Sequence, residues 1–330
     1  MSFSKSFYKK LTVNASGKIN LYLNVRKNYR TDGFHEIKSI MQSISLSDEL
    51  HFEVSHKTPY TPYGLRHKDT GSSNKANTNG NTNSNGNGIT ITCNNIDIPL
   101  NEKNLVHKAA LLMLENHNLK EKYDIKINID KTIPVGAGLA GGSTNAAATL
   151  IVLDRIFNLG TSHDKLLELG NEVGSDVPFC ITGGTALVEG KGEKILQLPD
   201  LPFYWVVLAS NGKKFLSGDV YDKFDLIGRE RNSIHDKLVS DLTGRKFDDF
   251  FSKLDNDLER VVTVEDKMII LLKEKALALG AFAAQMTGSG PTVFAFCPDL
   301  KVAKEVYKGL SELSNKIFLS YTTPGSLSFV

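Results

Sequence analysis

The stretch PVGAGLAGGSTNAAATL, residues 134–150, places glycine at 136, 138, 141 and 142 and then turns at once to small, helix-favouring residues. Closely spaced glycines let backbone N–H groups converge on one point, and a helix opening near Ser143 adds its positive end there. Such a loop suits a phosphate. A glycine turn that merely lets a helix pack on a sheet is the plain alternative, and Ser143 and Thr144, whose hydroxyls could reach a phosphate or Mg²⁺, weigh against it.

Two familiar templates come close. Gly136, Gly138 and Gly141 spell the dinucleotide fingerprint G-x-G-x-x-G, and Gly136 to Ser143 follows G-x-x-x-x-G-K-[ST] except that Gly142 stands where lysine belongs. The first needs a fully buried strand running straight into the glycines and an acidic residue about 20 positions later. Here the preceding segment alternates apolar and polar residues, Pro134 intervenes, and Asp154 sits inside an apolar helical run. The second fails for want of the phosphate-binding lysine and of an apolar strand ending in aspartate. An anion cradle of neither kind remains.

At 330 residues and 41% hydrophobic side chains, the chain can build a core in each of two domains. Its 39 basic and 37 acidic side chains leave a net charge of +2 without a basic stripe, so nothing points to nucleic acid. Cys93, Cys180 and Cys297 lie far apart in apolar segments, which suits buried thiols rather than a disulfide framework. No C-x-x-C or H-E-x-x-H spacing occurs, so no dedicated protein metal site is expected. No apolar run reaches the roughly 20 residues that span a bilayer, so no membrane partner is expected. The basic N-terminus MSFSKSFYKK lacks the apolar centre of a secretory signal.

Along the chain, residues 71–88 are almost purely Asn, Gly, Ser and Thr, and they predict a flexible surface insert that begins at about residue 55. Residues 18–25 alternate as a half-buried strand, with Lys18 and Asn20 on the polar face about 7 Å apart. A strand is predicted at 89–93, a helix at 104–115, a strand at 125–129 and helices at 143–158 and 163–173. A turn-rich stretch from 183 to 193 leads to a second unit near residue 200. There the pattern reads strand, helices, a helix over 264–279, strand, glycine loop, strand, helix and strand, the order of a ferredoxin-like sandwich. The fold class is α+β, divided into residues 1–198 and 199–330.

The glycine stretch resembles the P-x-x-x-G-L-x-S-S-x-A loop of the GHMP kinases. Further segments resemble the branch of that family acting on a cytidine diphosphate conjugate of methylerythritol: ASGKINLYLNV (15–25), DGFHEIKSIMQ (32–42), KNLVHKAA (103–110), GSDVPFCITGGTALVEGKGE (174–193), NDLE (256–259) and MTGSGPTVFAF (286–296). The resemblance implies an N-terminal domain like ribosomal protein S5, a C-terminal ferredoxin-like domain, and a site in the cleft between them. It also implies ATP and Mg²⁺, and transfer of the γ-phosphoryl group to a hydroxyl of the conjugate. A kinase of mevalonate, homoserine or a sugar, and a non-catalytic nucleotide sensor, are the competing readings. A bacterial cytoplasm or a plastid or apicoplast stroma, and a monomer or a homodimer, stay open.

Residue roles follow from the same resemblance. Lys18 and Asp176 form the reacting pair, although an aspartate before Val177-Pro178 would on residue type alone be a helix cap. Pro134, Val135, Gly136, Ala137, Gly138, Leu139, Ala140, Gly141, Gly142, Ser143 and Thr144 hold ATP phosphates, Ser143 with any Mg²⁺. Asn104, Leu105 and Lys131 line the adenine side; their plain readings are a cap, a core leucine and a solvated lysine. Asn20 and Asn145 orient the substrate, Phe34 and Tyr221 sandwich the base, His35 bonds its edge, and Gly288 and Ser289 support the site. Phe34 departs from the family's usual Tyr, keeping the ring face and losing the hydroxyl.

Overall fold

Two long strands carry the architecture. β1 (Tyr8–Tyr29) and β2 (His35–His56) run antiparallel, and their pairing slips between Ser16 and Lys18 and again between Asn20 and Tyr22. Each slip bends the ladder and increases its twist. The first half therefore packs Val13, Ala15, Leu50 and Phe52 under helices, while the second turns Ile19, Leu21, Ile40 and Ile44 against a separate sheet. The computed structural model describes residues 7–29, 31–57, 81–85 and 88–330.

β3 (Asn81–Asn85) pairs antiparallel with β4 (Ile89–Cys93), which lies parallel to β5 (Tyr123–Asp130); β5 in turn pairs antiparallel with β2. Ile125, Ile127 and Ile129 of β5 face inward, as their alternation predicts. Over this face pack α1 (Leu105–Asn116), α2 (Gly141–Phe157), α3 (His163–Val173) and α4 (Val177–Thr182). α2 is buried nearly all round because its Ala146-Ala147-Ala148 run lets neighbouring elements approach closely. β6 (Thr185–Gly190) pairs with β2 and then with β7 (Lys194–Gln197).

The second unit comprises β8 (Trp205–Ser210), α5 (Ser217–Ile227), α6 (His235–Thr243), α7 (Phe247–Phe251), β9 (Asp255–Asn256), α8 (Glu259–Glu265), α9 (Met268–Ala278), β10 (Ala283–Met286), β11 (Val293–Cys297), α10 (Leu300–Leu310), β12 (Lys316–Tyr321) and β13 (Leu327–Phe329). Its antiparallel sheet has the order β10-β11-β8-β12, that of the expected ferredoxin-like sandwich. Phe294 and Phe296 of β11 meet Leu21 and Ile40, so the two units share a core. β9 and β13 cross back to pair with β1.

Several expectations are corrected. The polar face of residues 18–25 is not solvated: Lys18, Asn20 and Asn24 are all buried, because the second unit covers that face. The stretch 183–193 is not all turn, since β6 occupies six of its residues. The helix expected over 264–279 is two helices, broken at Asp266, whose carboxylate accepts the Met268 N–H and so starts α9. The excursion expected from residue 55 starts later, as Ser55 and His56 still pair with β5, and Asn81–Asn85 forms a strand. The rest of that Asn-rich segment, 58–80 and 86–87, lies outside the described residues.

α2 begins at a left-handed residue that is not glycine: Ala140 has φ 56° and ψ 29°. That conformation costs an L-residue about 1–2 kcal/mol, and glycine would return part of the gain through the unfolded chain. Ala140→Gly is therefore expected to stabilise the protein by about 0.5–1 kcal/mol, measurable as a higher urea midpoint.

Candidate active site

Lys18 stands on β1 beside the bulge, with its N–H bonded to the Leu139 carbonyl at 3.1 Å. Its ammonium, 4% exposed as a residue, donates to Asn20 Oδ1 at 2.7 Å and to the Gly138 carbonyl at 3.1 Å. An ammonium has three donors. The remaining one faces Asp176, whose Oδ2 lies 3.7 Å away. Asp176 precedes α4 without capping it, and its side chain is about a third exposed. The capping role that residue type favours is thus not the role this carboxylate plays.

The glycine loop joins β5 to α2 and is clamped from two sides. At its root the Asp48 carboxylate accepts the Thr132 and Ile133 N–H groups at 2.8 Å each and pairs with Lys131 at 2.7 Å. At its tip, Gly138 has φ 77°, and a Cβ there would fall 2.4 Å from the Thr287 carbonyl. The Thr287 hydroxyl accepts the Asn20 N–H at 3.0 Å and stands 3.3 Å from the Gly138 carbonyl. Asn256 donates from Nδ2 to the Met286 and Gly288 carbonyls, both at 2.9 Å, holding this second glycine turn against β1. Between these clamps, among the described residues, none of the backbone N–H groups from Gly136 to Ser143 donates to another part of the chain. They remain available to a ligand, and Ser143 is half-buried at the start of α2, lining the cleft.

The loop, the Lys18–Asp176 pair and an aromatic rim enclose a cleft of about 660 Å³. At the rim Phe34 is 46% exposed, with the Lys191 ammonium 4.9 Å from its ring centre. His35 is buried beside Tyr221, ring centres 5.0 Å apart, and its Nε2 lies 2.9 Å from Asp225 Oδ1. Burial of the Tyr221 hydroxyl, followed by the Asp176 charge, pushes that phenol above its ordinary range and keeps it a neutral donor. Burial pushes the Cys180 thiol up as well, which leaves it unreactive.

Comparison with known proteins bears on what the cleft does. The family described as GHMP kinases N terminal domain matches residues 104–184, and GHMP kinases C terminal matches 238–316. A 4-diphosphocytidyl-2-C-methyl-D-erythritol kinase of Listeria innocua is 35% identical over 310 residues, covering 94% of this chain and 95% of its own. The chain belongs to the GHMP kinase family.

Solved small-molecule kinases share the fold at lower identity. The crystal structure of a 4-(cytidine 5'-diphospho)-2C-methyl-D-erythritol kinase superposes with a TM-score of 0.71 at 24% identity, covering 95% of this chain and all of that one. A homoserine kinase from Cytophaga hutchinsonii superposes at 0.69 with 17% identity, covering 100% of this chain and 99% of that one. With two substrates behind nearly equal scores, backbone likeness fixes the fold and leaves the substrate to the side chains.

In this GHMP kinase the cleft brings together Lys18, Asn20, Phe34, His35, Leu105, Lys131, residues 134–143, Asp176, Tyr221, Gly288 and Ser289. Three expected contacts fall elsewhere. Thr144 and Asn145 have buried side chains, because the next positions of α2 point into the helical core. Asn104 is the plain helix cap, accepting the Val106 N–H and donating to the Pro99 carbonyl. Lys131 is not solvated as its plain reading had it; its side chain is 3% exposed. Phe34 and Tyr221 do not stack on one another; the ring against Tyr221 is that of His35.

Residues the sequence did not single out also line or brace the cleft. Asp225 lies four residues after Tyr221, so helical spacing places both on one face of α5. Lys191 and Asn256 fall inside segments already noted for their resemblance. Asp48 carried no signal at all, being one acidic residue on a long strand.

Proposed function

We propose that this GHMP kinase transfers the γ-phosphoryl group of ATP to a hydroxyl of 4-diphosphocytidyl-2-C-methyl-D-erythritol, giving the 2-phosphate and ADP on the non-mevalonate route to isoprenoid precursors. The observation that carries the reading is the juxtaposition of unpaired loop amides, the Lys18–Asp176 pair and an aromatic rim within one cleft. The amides of residues 136–143 and the positive end of α2 hold the triphosphate. The substrate hydroxyl oxygen forms the new bond to the γ-phosphorus as the bond to the ADP oxygen breaks, and the hydroxyl proton passes to Asp176. Lys18 lies where it offsets charge on the transferred group, and Asn20 fixes Lys18 through the 2.7 Å bond. The half-buried Ser143, which lines the cleft at the start of α2, carries a hydroxyl that fits a Mg²⁺ ion shared with ATP phosphates, and such an ion would neutralise their charge.

Phe34 presents a half-exposed ring at the rim, beside the Lys191 ammonium and in the same cleft as His35 and Tyr221, suited to stacking on a cytosine. A base stacked on an aromatic side chain gains about 1–3 kcal/mol. Phe34→Ala is therefore expected to raise KM for the cytidine conjugate about 10–100-fold with KM for ATP unchanged, as read by initial rates. The direct test is ADP release from ATP and Mg²⁺ with the cytidine conjugate, mevalonate or homoserine as acceptor. Turnover with the conjugate alone is expected; comparable turnover of mevalonate or homoserine would overturn the assignment.

A further inference from the structure

A second cluster of chemistry-bearing side chains lies outside the cleft, on the face of the first sheet opposite its helices. Glu49 and His51 are alternate residues of β2 and so project to the same side. Asp130 ends β5 and is the direct cross-strand partner of Glu49. His51 Nε2 lies 3.0 Å from Glu49 Oε1 and 3.1 Å from Asp130 Oδ2, and the three donor atoms lie within 4.8 Å of one another.

Two carboxylates directly opposed across an antiparallel pair repel each other. The registered neighbours do not relieve this: Asn14 stands opposite Glu49 on β1, while Thr12 on β1 and Asn128 on β5 stand opposite His51. None of these carries charge. The surroundings instead orient the cluster. The Thr12 hydroxyl is 3.1 Å from His51 Nδ1, and Asn128 Nδ2 donates to Asp130 Oδ1 at 3.2 Å, leaving Oδ2 toward the imidazole. Partners on the far atoms of an imidazole and a carboxylate are the usual outer support of metal ligands.

We propose that Glu49, His51 and Asp130 form a binding site for a divalent transition-metal ion of the zinc class. Bonds of about 2.0–2.2 Å to one imidazole and two carboxylates suit Zn²⁺, with water completing four ligands. Adjacent donors of such a tetrahedron are about 3.3 Å apart, close to the two separations found. Mg²⁺ and Ca²⁺ prefer oxygen donors throughout, so the imidazole selects against them. Asp130 is 79 positions from His51 in sequence and meets it and Glu49 only through the β2–β5 register, which is why no ligand spacing shows along the chain. Glu49 and Asp130 are the chain neighbours of Asp48 and Lys131, so the ion would tie together the two strands at the root of the glycine loop.

The test is calorimetric titration of chelator-treated protein with ZnCl₂ in the absence of nucleotide, on the parent chain, His51→Ala, Asp130→Asn and Thr12→Val. One ion per chain is expected for the parent, with affinity at least 10-fold weaker in His51→Ala and Asp130→Asn. Thr12→Val is expected to weaken it about 10-fold. Zinc should also raise the melting midpoint of the parent and not of His51→Ala. These side chains are about two-fifths to half exposed and lie outside the cleft, so the variants should keep fold and kinase activity, checked by circular dichroism and ADP release. No binding by the parent, or equal binding by parent and His51→Ala, would overturn the proposal.

Discussion

Asp176→Asn should lower kcat by about 10²–10⁴-fold, the contribution of a positioned proton acceptor, while ATP binding and stability stay close to those of the parent. The geometry makes this substitution unusually clean. The carboxylate makes no cap hydrogen bond to α4, is about a third exposed, and meets Lys18 only at 3.7 Å. Replacing it with its amide therefore removes an acceptor of the substrate proton without releasing a loop. A capping aspartate would behave oppositely, losing about 1 kcal/mol of stability with little change in turnover. Lys18 offers no such separation, because its ammonium also bonds Asn20 and the Gly138 carbonyl, so Lys18→Met would loosen the loop as well as the chemistry. Single-turnover phosphoryl transfer, with nucleotide binding measured separately, reads the two effects apart. Activity within 10-fold of the parent would exclude Asp176 as the proton acceptor.

Much of this site was legible because glycine and alternation act locally. The glycine run signalled converging amides, and the two-residue spacing of Lys18 and Asn20 put both on one strand face, where they are now seen bonded to each other. The burial of that face was not legible, because it depends on a second sheet formed some 200 residues later. Nor was the orientation of Thr144 and Asn145: the family resemblance implied phosphate and substrate contacts, but α2 turns them into the core. The Ala146–Ala148 run that follows directly was the available sign of a helix buried on nearly all sides. Asp266 shows the same limit in reverse, since one buried carboxylate interrupts a helical pattern that is otherwise continuous. Asp48 was invisible for a different reason: its meaning lies wholly in long-range partners.

Asp48→Ala should be the most destabilising substitution at the site's periphery, costing about 3–5 kcal/mol. The carboxylate is fully buried and holds the Thr132 and Ile133 N–H groups as well as the Lys131 ammonium. Its removal leaves the two N–H groups without their acceptor and the Lys131 ammonium, still bonded to the Ile133 carbonyl, without its counter-charge, and frees the root of the glycine loop. Burial already lowers the Lys131 pKa from 10.5, with Asp48 opposing that shift. Without Asp48 the opposition is gone, so the folded variant favours the neutral amine more strongly than the parent does. The unfolded variant then binds more protons than the folded one over a wider window below 10.5, and its stability rises with pH there more steeply than that of the parent. Urea unfolding of both proteins at pH 7 and pH 9.5 should accordingly show the gap between them narrowing at the higher pH. Lys131→Met in the Asp48→Ala background removes the stranded cation and should recover part of the loss at pH 7, with no pH-dependent narrowing left. A gap that stays constant with pH in Asp48→Ala would mean that the lost backbone hydrogen bonds, not the uncompensated ammonium, dominate the cost.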